Sequence, residues 1–231
     1  MKRLTFIILL LIASFGLRAE DGYRLWLRYD KIDDSQLLKQ YHQQISGLKF
    51  KADGATLNAA YEELKNGLNG LLDKKILRQN GIENGSIIAG TAESALEIKA
   101  TFSQNELNDL GDEGFIIRTA IINKKKVIVI AAKKDIGVLY GTFHFLRLLQ
   151  THQPIQTLSI TSVPKIKYRV LNHWDNLNRS VERGYSGLSI WDWHTLPGYI
   201  DKRYIDYARA NASVGLNGAV LTNVNANSLI L

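Results

Sequence analysis

Tyr168-Arg-Val-Leu-Asn-His-Trp-Asp-Asn176 opens a run that continues through Arg183-Gly-Tyr-Ser-Gly-Leu-Ser-Ile-Trp-Asp-Trp193 and, past a helical stretch, Val220-Leu-Thr-Asn-Val-Asn-Ala-Asn227. Each strand-like piece ends in polar and aromatic groups. That is how a (β/α) barrel presents a sugar site at the carboxyl ends of its strands. The order is strand, long loop, helix and strand, the repeating unit of an α/β fold. The helix is expected from Asp201, as N-cap, to Val214, with Tyr204, Ile205 and Ala208 on an apolar face and Gly215 as its stop. A full barrel needs eight such units, and residues 165–231 supply about one and a half. An open pair of strands would leave a parallel edge and its apolar faces uncovered, so this unit is expected to be the incomplete start of a barrel.

Upstream, the pattern is that of a different domain. Leu57, Tyr61, Leu64, Leu68 and Leu71 recur at helical spacing after Thr56, which is expected as the N-cap. Ser86–Gly90, Gly114–Ile122 and Val127–Ala131 read as strands, with Asn123–Lys126 as a hairpin tip. A further helix is expected from Asp135, with Gly137 and Gly141 on a side able to pack closely on a sheet. The opening Glu20–Tyr29 alternates apolar and polar positions and reads as a strand or extended segment. Residues 20–150 are therefore expected to form an N-terminal α/β accessory domain, helices on a mostly antiparallel sheet. Residues 151–164 read as linker, and 165–231 as the first units of a (β/α)8 TIM barrel.

Composition excludes several classes. The 231 residues are 45% hydrophobic and 22% charged, an ordinary globular mixture. Lys2-Arg3, the apolar run Leu4–Ala13 and a small-residue cleavage point after Ala19 predict a signal peptide over 1–19, hence an exported product, periplasmic or extracellular, with no membrane association after cleavage. The apolar run is shorter than the roughly 20 residues a spanning helix needs. Setting aside Lys2, Arg3 and Arg18 leaves 26 basic against 22 acidic residues. With no broad basic face and no reading motif, no nucleic acid partner is expected. There is no cysteine, so disulfides and thiolate chemistry are absent, and His42, His144, His152, His173 and His194 show no metal-binding spacing.

Five stretches carry a resemblance: Glu20–Tyr29, Gly137-Val-Leu-Tyr-Gly-Thr-Phe-His-Phe-Leu-Arg-Leu-Leu149, Leu171-Asn-His-Trp-Asp-Asn-Leu177, Glu182-Arg-Gly-Tyr-Ser-Gly187 and Tyr207-Ala-Arg-Ala-Asn-Ala-Ser213 with its asparagine-rich sequel. The chain resembles the xylan α-glucuronidases of glycoside hydrolase family 67 along its whole length after the signal. The resemblance implies an accessory domain, a (β/α)8 catalytic barrel and a helical C-terminal domain. It implies removal of 4-O-methyl-glucuronic acid, α-1,2-linked to terminal xylose, from glucuronic-acid-substituted xylo-oligosaccharides, with inversion and without a cofactor. A homodimer is the expected assembly of the full-length protein.

Inversion requires a protonated carboxyl on the leaving oxygen and a carboxylate that activates water, about 6.5–9.5 Å apart. The resemblance puts both on later strands, beyond Leu231, so no catalytic residue is assigned here. For the substrate it implies Trp174 as a platform for an apolar sugar face and Val224 beside the methyl-bearing oxygen. Asn223 and Asn225 carry donors and acceptors suited to hydroxyls, or simply hold their loop. Asp175, Glu182 and Asp192 are expected to organise loops with Arg179 or Arg183 rather than to act as acid and base. Two other readings stand beside this one: a non-catalytic remnant with weak or no sugar affinity, and a different glycosidase such as a hexosaminidase.

Overall fold

A computed structural model describes residues 21–221. The core of the first unit is a five-stranded sheet built from β1 (Gly47–Phe50), β2 (Ser86–Thr91), β3 (Phe115–Ile122), β4 (Lys125–Ala132) and β5 (Ser159–Ser162), in the order β1-β2-β4-β3-β5. β4 is apolar on both faces because both are covered. Ile128, Ile130 and Ala132 face one cluster, with Ile87, Ala89, Phe115 and Ile117; Val127, Val129 and Ala131 face the other, with Ile88 and Ile116. The first face is covered by α1 (Ser35–Gln44), α2 (Ala55–Leu72) and α5 (Asp135–Gln150), the second by the short α3 (Leu96–Thr101) and α4 (Gln104–Asn108).

The sheet is mixed. β3 pairs antiparallel with β4 and β5, as the sequence leads one to expect, but β1/β2 and β2/β4 are parallel. α2 is the reason: a helix between β1 and β2 returns the chain to the start of the sheet, so the next strand runs the same way. The hairpin tip is only Asn123–Lys124, both at positive φ, as a two-residue turn that follows strand twist demands, and Lys125 and Lys126 belong to β4. The stretch 151–164, read as linker, contains β5, so the first unit's sheet extends to Ser162.

Three local expectations are corrected. α2 starts one residue earlier than Thr56, with Gly54 as N-cap at φ 87°, a backbone state open to glycine. The opening segment is a turn over Tyr23–Trp26 rather than a strand; Leu27 and Tyr29 are buried, while Tyr23 and Leu25 are exposed. Its partners are helices, not a sheet edge: Ile32 N donates to Leu71 O, and Gln150 Nε2 donates to Trp26 O. The third correction concerns α6 (Lys202–Ser213), capped by Asp201, whose side chain accepts from Arg203 N at 2.8 Å. Ile205 is 62% exposed and Ala208 is exposed too.

α6 docks instead through Ala210 and Ala212, which pack on the first cluster, and through polar side chains. Arg209 donates from Nε and Nη2 to Glu63 of α2 at 2.6 and 2.8 Å, and the Tyr29 hydroxyl donates to the same carboxylate at 2.5 Å. Trp26 Nε1 donates to Ser213 Oγ at 2.8 Å, Arg147 of α5 donates to Ser213 O, and Tyr23 Oη donates to Asp206 at 2.8 Å. Along the chain, α6 connects the two directly paired parallel strands of a second sheet, β6 (Val170–Asn172) and β7 (Gly218–Val220). Glu113 of the first unit takes Arg169 at 2.8 Å and Asn217 Nδ2 at 2.9 Å, the residues just before β6 and β7. The first unit thus grips the amino ends of these strands and leaves their carboxyl ends open.

Three measurements check this account. A Cβ at Gly137 of α5 would lie 2.4 Å from Gly114 O and 2.8 Å from Ala132 Cβ, whereas at Gly141 it would meet the Ile130 methyl at 2.7 Å. Because backbone yields less than a methyl, Gly137→Ala is expected to lose about 1–3 kcal/mol and Gly141→Ala less, in urea unfolding. Glu63→Ala, which strands Arg209, is expected to cost about 2–4 kcal/mol, and the double change Glu63→Leu with Arg209→Met to cost less than that single one; equal costs would contradict the pairing. His144 packs on Phe115 at 5.3 Å, and burial, then the Arg147 charge, lowers its pKa. The folded protein therefore resists a proton that the unfolded chain accepts near pH 6.5, so stability is full above that value and declines as pH falls below it. His144→Leu is expected to flatten urea midpoints between pH 7 and 5.

Candidate functional site

The parallel β6/β7 pair delivers both carboxyl ends to one side, and pairing continues one step beyond β6, where His173 N donates to Val220 O at 2.8 Å. After Asn172 the His173 and Asp175 side chains turn inward, 10% and 0% exposed. Asp175 is fully buried, and hydroxyl donors hold its carboxylate at one oxygen. Oδ2 accepts from the Tyr185 hydroxyl and from Ser189 Oγ, each at 2.5 Å, and Oδ1 lies 3.7 Å from His173 Nδ1. Hydroxyl donors to a carboxylate form short, strong bonds. Burial first, and then the bond to Asp175, raise the Tyr185 pKa, so this hydroxyl stays a donor.

The long loop from 173 to 200 is tied at further points. Asp175 and Val181 form an isolated antiparallel bridge, and Glu182 N donates to Trp174 O at 3.0 Å. Arg179, at φ 69°, donates to Ser189 O and pairs with Asp192 at 3.2 Å. An aromatic group closes the inner side. Trp191 packs on Tyr204 at 4.8 Å and on Tyr207 at 5.2 Å, and His173 Nε2 shares a hydrogen bond with the Tyr207 hydroxyl at 2.6 Å. Tyr204 Oη accepts from Asp192 N at 2.9 Å. The loop is thereby fastened to α6, which is itself fastened to the first unit.

Trp174, named from the sequence, is half-buried at the end of β6, with the Arg183 guanidinium 5.2 Å from its ring centroid. Asn223, Val224 and Asn225 lie outside the described residues. Among the three carboxylates, Asp192 pairs with an arginine as expected, whereas Asp175 is held by hydroxyls and faces a histidine. Sequence reasoning assigned no role to His173, Tyr185, Ser189, Trp191 or Tyr207. The available signal was the spacing of Tyr204 and Tyr207, three apart on α6, opposite a tryptophan in the preceding loop.

Two family models match the chain in order: the glycosyl hydrolase family 67 N-terminus over residues 25–145 and the family 67 middle domain over residues 148–231. Alpha-glucuronidase A of Emericella nidulans is 32% identical over 98% of this chain, and probable alpha-glucuronidase A of Aspergillus terreus is 32% identical over 92%. The chain spans about a quarter of those relatives, 27% and 25% of their lengths. Among solved structures, a family GH115 4-O-methyl-alpha-glucuronidase with specificity for decorated arabinogalactans superposes with a TM-score of 0.53 at 15% identity, over 76% of this chain and 25% of that one. That likeness concerns the fold alone. With both family models matched in sequence order across the accessory unit and the β6–α6–β7 unit, the chain belongs to glycosyl hydrolase family 67.

Proposed function

We propose that this chain contributes the accessory domain and the first βα units of the catalytic (β/α)8 barrel to an exported xylan α-glucuronidase. The reaction is removal of (4-O-methyl-)glucuronic acid, α-1,2-linked, from xylo-oligosaccharides with inversion. The observation that carries this reading is the parallel β6–α6–β7 unit with Trp174 at the carboxyl end of its first strand, on the side that the accessory unit leaves open. Barrel enzymes place their sites at that end. The relatives' names support the bond cleaved. The basic start and apolar run of residues 1–19 support export.

In this reading Trp174 is a flat apolar wall for a sugar ring whose axial face carries C–H groups, and its indole N–H is a donor at the rim. Val224 lies against the 4-O-methyl group, and Asn223 and Asn225 bond ring hydroxyls. The acid and base are assigned outside the described residues. Asp175 is buried beneath two hydroxyl donors and Asp192 is paired with Arg179, so both nearby aspartates are committed to holding the loop. An inverting acid must keep its proton near neutrality and the base must stay ionised, which requires two different environments on opposite sides of the sugar. Water attacks the anomeric carbon, the base takes its proton, and the acid protonates the departing xylose oxygen.

The test uses the longest product of the gene that contains this chain. Incubated with 4-O-methylglucuronosyl xylotriose and followed by proton NMR, it is expected to release free 4-O-methylglucuronic acid, first as the β anomer. Trp174→Ala is expected to raise KM about tenfold, corresponding to about 1.4 kcal/mol, with Trp174→Phe in between. Release of the α anomer first would refute inversion, and no release at all would refute the assignment.

A further inference from the structure

The loop that carries Trp174 contains one fully buried carboxylate, and the proposed chemistry makes no use of it. Asp175 follows Trp174 directly. It gathers Tyr185 and Ser189, ten and fourteen residues further along, onto a single oxygen, and Ser189 Oγ in turn accepts from Trp191 N at 3.0 Å. Its other oxygen faces His173, whose far nitrogen is bonded to Tyr207 of α6. One side chain therefore connects the strand end, both limbs of the loop and the helix.

Alternation along the extended chain converts this connection into an orientation. With His173 and Asp175 inside, the intervening Trp174 ring must lie on the opposite side of the backbone. There its carbonyl is held by Glu182 N, and Arg183 covers its ring. We propose that Asp175 is a positioning residue for the sugar platform: its buried hydrogen bonds fix the side to which Trp174 turns and hold the indole ready before a sugar arrives. This deepens the reading of Trp174 as a substrate-binding residue and rests on it. The class of ligand affected is the uronic-acid-bearing oligosaccharide of that reading.

The change Asp175→Asn keeps size, removes the charge that the Tyr185 and Ser189 hydroxyls share on one oxygen, and places an NH2 either against both hydroxyls or against His173. Two readouts separate this inference from the function on which it rests. In the 231-residue chain, the Trp174 indole N–H resonance, identified by its disappearance in Trp174→Phe, is expected to shift or broaden in Asp175→Asn with no sugar present. In the longest gene product, the same change is expected to raise KM five- to tenfold and alter kcat less than threefold. If Asp175→Asn does not fold, Tyr185→Phe, which removes one donor, is expected to move the same resonance and raise KM two- to threefold. A folded variant with an unmoved Trp174 resonance and unchanged KM overturns the positioning role. A moved resonance in Asp175→Asn, together with a wild-type protein that has no glucuronidase activity, would leave the positioning intact and overturn the function instead.

Discussion

The Glu63 carboxylate receives three donors, two from the Arg209 guanidinium and one from the Tyr29 hydroxyl, and most of what lies beyond the first sheet depends on that point. Glu63 sits on the buried face of α2, where its companions are leucines, Ala60 and Gly67 and an unpaired carboxylate would be costly. Its pairing is bidentate, and the Arg209 guanidinium also lies 5.8 Å from the Tyr29 ring centroid. Burial, and then the neighbouring carboxylate, raise the Tyr29 pKa, so it remains a neutral donor. The pair fixes how α6 sits on α2. Since α6 carries Tyr204 and Tyr207, it also fixes where the loop after β6 is anchored.

Glu113 performs the corresponding task at the other end of the second unit. Its pKa is held low despite partial burial, by the bonds from Asn217 and Arg169. Both bonds go to residues that immediately precede β6 and β7. Two carboxylates of the first unit, one at the helix and one at the amino ends of the strands, thus join it to the β6–α6–β7 unit, beside the contacts of Tyr23, Trp26 and Arg147 with α6. Neither lies at the end where Trp174 stands. Support and site are at opposite ends of the same strands, so contacts that stabilise the assembly leave the site uncovered.

How much of this was legible in the sequence depends on the range of the forces involved. β2, β3 and β4 announce themselves through dense β-branched runs, and α5 through its apolar spacing and its two sheet-facing glycines, because local pattern and burial agree there. The parallel pairing of β1 and β2 was not legible, since direction follows from where α2 returns the chain rather than from any strand residue. The opening segment was misjudged because its partners are helices rather than a strand, two of them, α5 and α6, more than 100 residues away. The packed side of α6 was misjudged because it is largely polar, held by Arg209, Ser213 and Asp206 beside Ala210 and Ala212 rather than by its isoleucine. At the candidate site, the arginine pairing of Asp192 could be anticipated from type and spacing, whereas Trp174 was singled out by the resemblance alone. The hydroxyl cradle of Asp175 could not, because serine and tyrosine in a loop give no sign of which carboxylate they will meet.

The contacts of the opening segment also bear on the order in which the molecule assembles. Tyr23 and Trp26 reach Asp206 and Ser213, across sequence separations of 183 and 187 residues. During synthesis these two aromatics emerge well before the helix that receives them. The five strands and the helices that cover them all precede α6, so they can begin to pair and pack while Tyr23, Trp26 and Glu63 still lack their partners on α6. Contacts that span so much chain form slowly because a long loop must close first. Among the described residues, the earliest ones to be synthesised are therefore among the last to be fastened.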